Sequence, residues 1–412
     1  MKLKLNQSRP GRELISSELI DLIVKNNADI INALLESAIY PNAGEILIKT
    51  GNKRISIVSE WKIKSFVNSG GSLANVRLFE KQISTNHEKR GEKDNNSYII
   101  KFDTSRNKDK LAREISWILN LDKDTLKLFP ELVYYNLDFN TPFYITPFYK
   151  KYTPLNILLS NKIISKNKID SILSELLDLV FNNIYTKKGR GEIKDQLKHY
   201  HLDRVENRLE ETMLHCPQFK KLIEAEKLKI NGVEYENVAP IIKKIKKDKR
   251  ILEKLKLRTS NLTHGDLHFG NILYSKEKED LRFKLIDPGA HEASNFTYDI
   301  GKLYHSFYGL YDTIYLNRFE LKEKSDTLID ITLDIETNQN YNYIKKNFKN
   351  ILENKKFKLL EQEPDWELKS LFAQACHFCS MMPFHIKDVA KAKAIYLQGV
   401  ILLNEVMVKL NK

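Results

Sequence analysis

The 412-residue sequence predicts an α+β chain of two lobes, a small antiparallel β-sheet lobe first and a large, mainly helical lobe after it. Three observations carry that expectation. Short runs of β-type residues crowd positions 46–148, apolar residues at helical spacing dominate beyond Tyr149, and the helical part is interrupted once, at 261–287, by two strands around an acidic-basic turn. At roughly 100–200 residues per folding unit, a chain of this length holds two or three units or one large bilobal one.

The elements follow in order. Ile15, Leu19, Ile20, Leu22, Ile23, Ile30, Ile31, Leu34 and Leu35 have helical spacing, so residues 1–60 read as a helical arm and extension. The runs 46–48, 55–58, 63–67 and 73–79 read as strands, and Asn68-Ser69-Gly70-Gly71-Ser72 is a hairpin turn between the last two. A strand is predicted at 98–102, a helix at 109–121, and strands near 132–135 and 143–148, which makes 61–148 the first lobe. The second, 149–412, should contain helices over 169–183 and 197–214, the strand pair 272–275 and 281–286, a hairpin around 319–333, and helices to the end.

A formal charge of +13 favours anionic partners. The excess comes largely from Lys in a chain also rich in Asn and Ile, a bias that AT-rich coding produces, so no nucleic-acid partner is expected from it. The run Lys243 to Arg250 reads as a solvated helix face. Three cysteines cannot build a disulfide framework and point to a reducing compartment, the cytoplasm. Cys376 and Cys379 form a Cys-x-x-Cys pair in a helical pattern without a second pair, which predicts buried thiols. No apolar run approaches the roughly 20 residues that cross a bilayer, and no signal-like segment follows Met1, so neither secretion nor a membrane span is expected.

The densest cluster of chemistry-bearing residues is Thr263-His264-Gly265-Asp266-Leu267-His268-Phe269-Gly270-Asn271, followed by Ile286-Asp287-Pro288-Gly289 at a strand end. Phosphoryl transfer needs a carboxylate to orient and deprotonate an acceptor hydroxyl, and oxygen ligands for Mg²⁺. Asp266 suits the first task. Asn271 and Asp287 suit the second, because Mg²⁺ prefers hard oxygen donors and fills its other positions with water and substrate phosphates.

This stretch resembles the aminoglycoside phosphotransferase and choline kinase-like superfamily, relatives of the protein kinases, over about residues 61–310. His264, Gly265, Asp266 and Asn271 match its H-G-D-x-x-x-x-N loop, and Asp287-Pro288-Gly289 stands where kinases carry D-F-G. The resemblance implies a protein kinase-like bilobal fold, ATP or GTP as phosphoryl donor, and Mg²⁺. It also implies a strand lysine paired with a helix glutamate, for which Lys101 and Glu114 are the candidates. Gly70, Gly71 and Ser72 would cover the phosphates, although the full G-x-G-x-x-G spacing is lacking. Pro147 and Tyr149 fall at the hinge that would meet the adenine, and Asp299 stands where the family braces its catalytic loop. His264 would shape that loop; His268 either faces the acceptor or bonds the backbone. No P-loop motif occurs.

Asp299 follows Asp287 at an offset of only 12, too short for a peptide platform, so a small-molecule hydroxyl acceptor is expected. An aminoglycoside would want an acidic pocket, and choline or ethanolamine an aromatic one. The basic balance favours a neutral or anionic acceptor, a sugar or sugar derivative. Segments 298–306 and 382–385 are also similar to phosphotransferases found beside bacterial surface-polysaccharide nucleotidyltransferases. The rival from another class is a non-catalytic, pseudokinase-like binding module.

Overall fold

A computed structural model describes residues 47–50, 53–56, 61–66, 75–81, 97–103, 108–137, 142–189, 196–277, 279–291, 294–334 and 339–411. The predicted helical arm at 15–38 and the Gly70-Gly71-Ser72 turn lie outside them. The chain falls into two compact units that divide between Lys150 and Lys151.

In the first unit, strands β1 (Leu47–Thr50) and β2 (Lys53–Ser56) form an antiparallel pair. Strands β3 (Trp61–Phe66), β4 (Asn75–Lys81), β5 (Ser97–Phe102), β6 (Tyr134–Asn136) and β7 (Phe143–Pro147) form an antiparallel sheet in the order β3-β4-β5-β7-β6. Helix α1 (Lys108–Leu119) buries Leu111, Ala112, Ile115 and Ile118, the i, i+1, i+4, i+7 stripe of an amphipathic helix. Glu114 lies on the same stripe, which fixes where its carboxylate goes.

The second unit is mainly helical. Its small sheet runs β12-β11-β8, made of β8 (Tyr152–Pro154) and the predicted strand pair β11 (Ile272–Ser275) and β12 (Phe283–Leu285). The longer helices are α2 (Lys166–Asn183), α3 (Asp203–His215), α4 (Val238–Lys247), α5 (Phe296–Phe307), α6 (Gln339–Asn354), α7 (Trp366–Cys379) and α8 (Val389–Leu410). All 12 residues of α5 are buried, so it is the axis of the unit. A Cβ on Gly301 would stand 2.8 Å from the Ala373 Cβ and 2.9 Å from the Ser370 carbonyl, so α5 and α7 meet almost backbone to backbone. Cys376 and Cys379 are buried free thiols on α7, and burial pushes both above the ordinary thiol range. Among the described residues, no helix is long and apolar enough to cross a membrane.

Two features depart from the sequence reading. The helix predicted over 197–214 begins with a π turn, Lys198–Leu202, which sets both Tyr200 and His201 against Tyr298, with ring centroids 6.1 and 5.6 Å away. A hairpin of β9 (Lys227–Ile230) and β10 (Val233–Glu236) went unread, although Asn231-Gly232, at φ of 52° and 80°, is a strong two-residue hairpin turn. It joins the predicted hairpin, β13 (Phe319–Glu323) and β14 (Leu328–Leu333), through a parallel β9–β14 pairing that no local signal announces.

Candidate active site

The loop 263–271 and the strand end 286–289 are zipped together inside the second unit. The Ile286 N–H donates to the Asn271 carbonyl at 3.0 Å, and the Gly289 N–H to the His264 carbonyl at 2.7 Å. Gly265, at φ 80°, and Gly289 face one another; a Cβ on Gly289 would sit 2.7 Å from the Gly265 carbonyl oxygen. Two glycines are therefore the condition for this approach. Asp287 itself is held at φ 56°, a conformation that costs a non-glycine residue about 1–3 kcal/mol and persists only where its surroundings enforce it.

One face of α5 holds the loop at three points. The Asp299 carboxylate accepts from the His264 N–H at 2.7 Å and the Gly265 N–H at 2.8 Å. The Lys302 ammonium meets Asp266 Oδ1 at 2.9 Å. Ser306 Oγ accepts from the Phe269 N–H at 2.9 Å. Positions 299, 302 and 306 share a helix face by spacing, so one rigid element sets the whole loop. The Asn295 side chain accepts from the Thr297 N–H and caps the helix start.

Within the loop, Asn271 Nδ2 donates to the Asp266 carbonyl at 2.9 Å and, at a longer 3.4 Å, to its Oδ2. That leaves Oδ1 as the atom of Asn271 able to ligate a cation. The Ile286–Asn271 bond joins the segments that carry Asn271 and Asp287, whose side-chain oxygens are the type of donor that suits Mg²⁺. Among the described residues, no group of three His, Cys, Asp or Glu side chains could hold a metal unaided, so such an ion would share its shell with substrate oxygens. His264 Nδ1 accepts from the Asp266 N–H at 3.2 Å, and His268 Nδ1 from the Gly270 N–H at 3.1 Å. His268 thus makes the backbone bond, and its ring also lies 5.8 Å from that of Tyr311.

Burial sets the electrostatics. It pushes His264 down to about 4, while the charges of Asp266 and Asp287 pull it upward, so both carboxylates act on one imidazole. It raises Asp299 to about 7, against the two backbone N–H bonds that favour its charged form.

In the first unit, Lys101 on β5 reaches both carboxylate oxygens of Glu114 at 2.8 Å, and the Tyr144 hydroxyl donates to Glu114 Oε1 at 2.8 Å. Lys101 and Glu114 are 4% and 3% exposed, so this is a desolvated pair with a fixed geometry. Pro147 ends β7 opposite Tyr98, and the half-buried Tyr149 accepts from the Glu131 N–H at 3.4 Å. Gly70, Gly71 and Ser72 are outside the described residues. The site residue that sequence reasoning missed is Lys302; its signal was the i, i+3, i+7 spacing of Asp299, Lys302 and Ser306.

No described protein family matches the sequence, and no curated protein does. Among solved structures the chain is similar to a thermostable mutant of aminoglycoside phosphotransferase APH(4)-Ia in its apo form, at 10% identity over 84% of this chain and 95% of that one, with a TM-score of 0.42. A ternary complex of that phosphotransferase with ADP and hygromycin B matches at 9% identity over 83% and 94%, TM-score 0.41. The BubR1 kinase domain matches at 14% identity over 92% and 98%, TM-score 0.28.

Proposed function

We propose that the chain is a small-molecule kinase that moves the γ-phosphoryl group of ATP or GTP to a hydroxyl of a sugar or sugar derivative. The observation that carries this reading is the zipped loop pair. Asp266, Asn271 and Asp287 come from two segments, which the Ile286–Asn271 and Gly289–His264 bonds and the Gly265–Gly289 contact hold together, while the α5 face fixes the first of them. Asp266 aligns the acceptor hydroxyl and takes its proton. Lys101, oriented by Glu114, is the group of the first unit suited to hold nucleotide phosphates, and Pro147 and Tyr149 are its hinge residues. Mg²⁺ held by Asn271 Oδ1 and Asp287 would neutralise charge on the phosphates. The short segment from Asp287 to Asp299 supports a small acceptor, and the +13 charge supports a neutral or anionic one.

The test is Asp266→Asn. Nucleotide turnover should fall at least about 1,000-fold, with nucleotide affinity by calorimetry changed less than about twofold, since the carboxylate acts mainly in the transition state. A variant that keeps its turnover removes Asp266 as the base. A nucleotide-consumption screen over sugars, sugar phosphates, aminoglycosides and choline then names the acceptor. A protein that binds nucleotide and consumes none with any of them is a binding module.

A further inference from the structure

Three lysines, Lys101, Lys302 and Lys369, are buried among the described residues. Two pair with carboxylates as buried as themselves: side-chain exposures are 4% and 3% for Lys101 and Glu114, and 3% and 0% for Lys369 and Glu363. Lys302 differs. Its side chain is 8% exposed, but the Asp266 carboxylate it meets at 2.9 Å is 33% exposed. The pair therefore runs from the interior to a surface that substrate can reach. An ammonium carries three N–H donors, so the contact with Asp266 Oδ1 does not exhaust it. The neighbouring His305, His377 and His385 are pushed below the ordinary imidazole range by burial, and each also registers the charge of Lys302. Lys302 brings its ammonium to 2.9 Å from Asp266 Oδ1.

We propose that Lys302 is a catalytic residue whose ammonium bridges the Asp266 carboxylate and the phosphoryl group in transfer. This rests on the kinase reading above. In the step, the acceptor oxygen bonds to the γ-phosphorus as the bond from that phosphorus to the β,γ-bridging oxygen breaks. The electron pair of the broken bond leaves on the nucleoside diphosphate, the hydroxyl proton ends on Asp266, and Lys302 keeps its protons. An acceptor oxygen lies about 2.6–3.2 Å from its base, and about 3–3.5 Å from the phosphorus at attack. An ammonium 2.9 Å from the same carboxylate is then one hydrogen bond from the equatorial oxygens, which carry the transition-state charge. Before the reaction, the same cation offsets the repulsion between Asp266 and an incoming triphosphate.

The experiment compares wild type, Lys302→Met, Lys302→Arg, Asp266→Asn and the double variant. Calorimetry gives the affinity for ADP alone and for ADP with aluminium fluoride, which imitates the phosphoryl group in flight; slow ATP hydrolysis gives a rate. Lys302→Met should lose about 100-fold in rate and in affinity for the fluoride complex, the usual scale for one transition-state donor, with ADP affinity unchanged. Lys302→Arg should recover part of both. The loss should persist when Lys302→Met is added to Asp266→Asn. Were it to vanish there, Lys302 would act only through Asp266 and the proposal would fail while the kinase reading stood. Wild type that binds no nucleotide would overturn both.

Discussion

Gly289 shows how much one missing methyl group decides. A Cβ there would stand 2.7 Å from the Gly265 carbonyl oxygen, and the atom in the way is backbone, which cannot swing aside. Gly289→Ala should cost about 1–3 kcal/mol by overpacking. It should also cut nucleotide turnover about 100-fold, because pushing the two segments about 1 Å apart spoils the alignment. Gly232→Ala is the control: at φ 80° it is strained, yet no atom lies within 4 Å of the added Cβ, so stability should fall by about 1 kcal/mol with turnover unchanged. Urea midpoints and hydrolysis rates measured together decide it; equal rates in both variants would remove the role given to the glycine contact.

At the scale of elements, the approach to the loop 263–271 hangs on Glu363, between the short helix Lys358–Gln362 and α7. Its carboxylate accepts from the Arg258 N–H at 3.0 Å, the Thr259 N–H at 3.0 Å and Asn295 Nδ2 at 2.6 Å, and it pairs with Lys369. It therefore ties the segment leading into 263–271 to the cap of α5 and to α7. Glu363→Ala leaves the Lys369 ammonium buried without its counter-ion, which should destabilise the fold by about 3–5 kcal/mol. The double change Glu363→Leu with Lys369→Met removes both charges and should restore part of that. Chemical denaturation gives both values, and a single-variant loss under about 1 kcal/mol would mean that the hub is ornamental.

For the whole molecule, pH acts through buried histidines. Burial lowers His201 to about 3 and His264 and His385 to about 4, and takes His305 and His377 well below the ordinary value. Their folded values lie under the unfolded value near 6.5, so the stability they confer is complete above that pH. It is lost as pH falls below 6.5, because the unfolded chain takes up protons that the folded chain refuses. Asp299, raised to about 7 by burial, and Asp312, also raised by burial, act in the opposite sense and lose stability as pH rises from about 4. Five groups oppose two, so the sum should follow the histidines. The thermal midpoint should drop steadily from pH 7 to pH 5, by calorimetry in buffers of matched ionic strength. A flat profile would mean that these rings reach solvent.

Much is legible in the residues alone, for a physical reason. Helix and strand periods, the Asp266-to-Asn271 offset and the Lys101–Glu114 spacing are local or nearly local quantities, and the α+β class follows from them. The π turn at 198–202, the parallel β9–β14 pairing and the Glu363 hub were not legible, since each joins residues whose partners lie far along the chain or on another element. Lys302 is the sharpest case. Its spacing from Asp299 was written in the sequence, but a lysine on a helix is ordinarily solvated, and only the burial of every face of α5 turns its ammonium onto Asp266. Sequence by itself determined which residues could do chemistry; packing around α5 decided which of them meet.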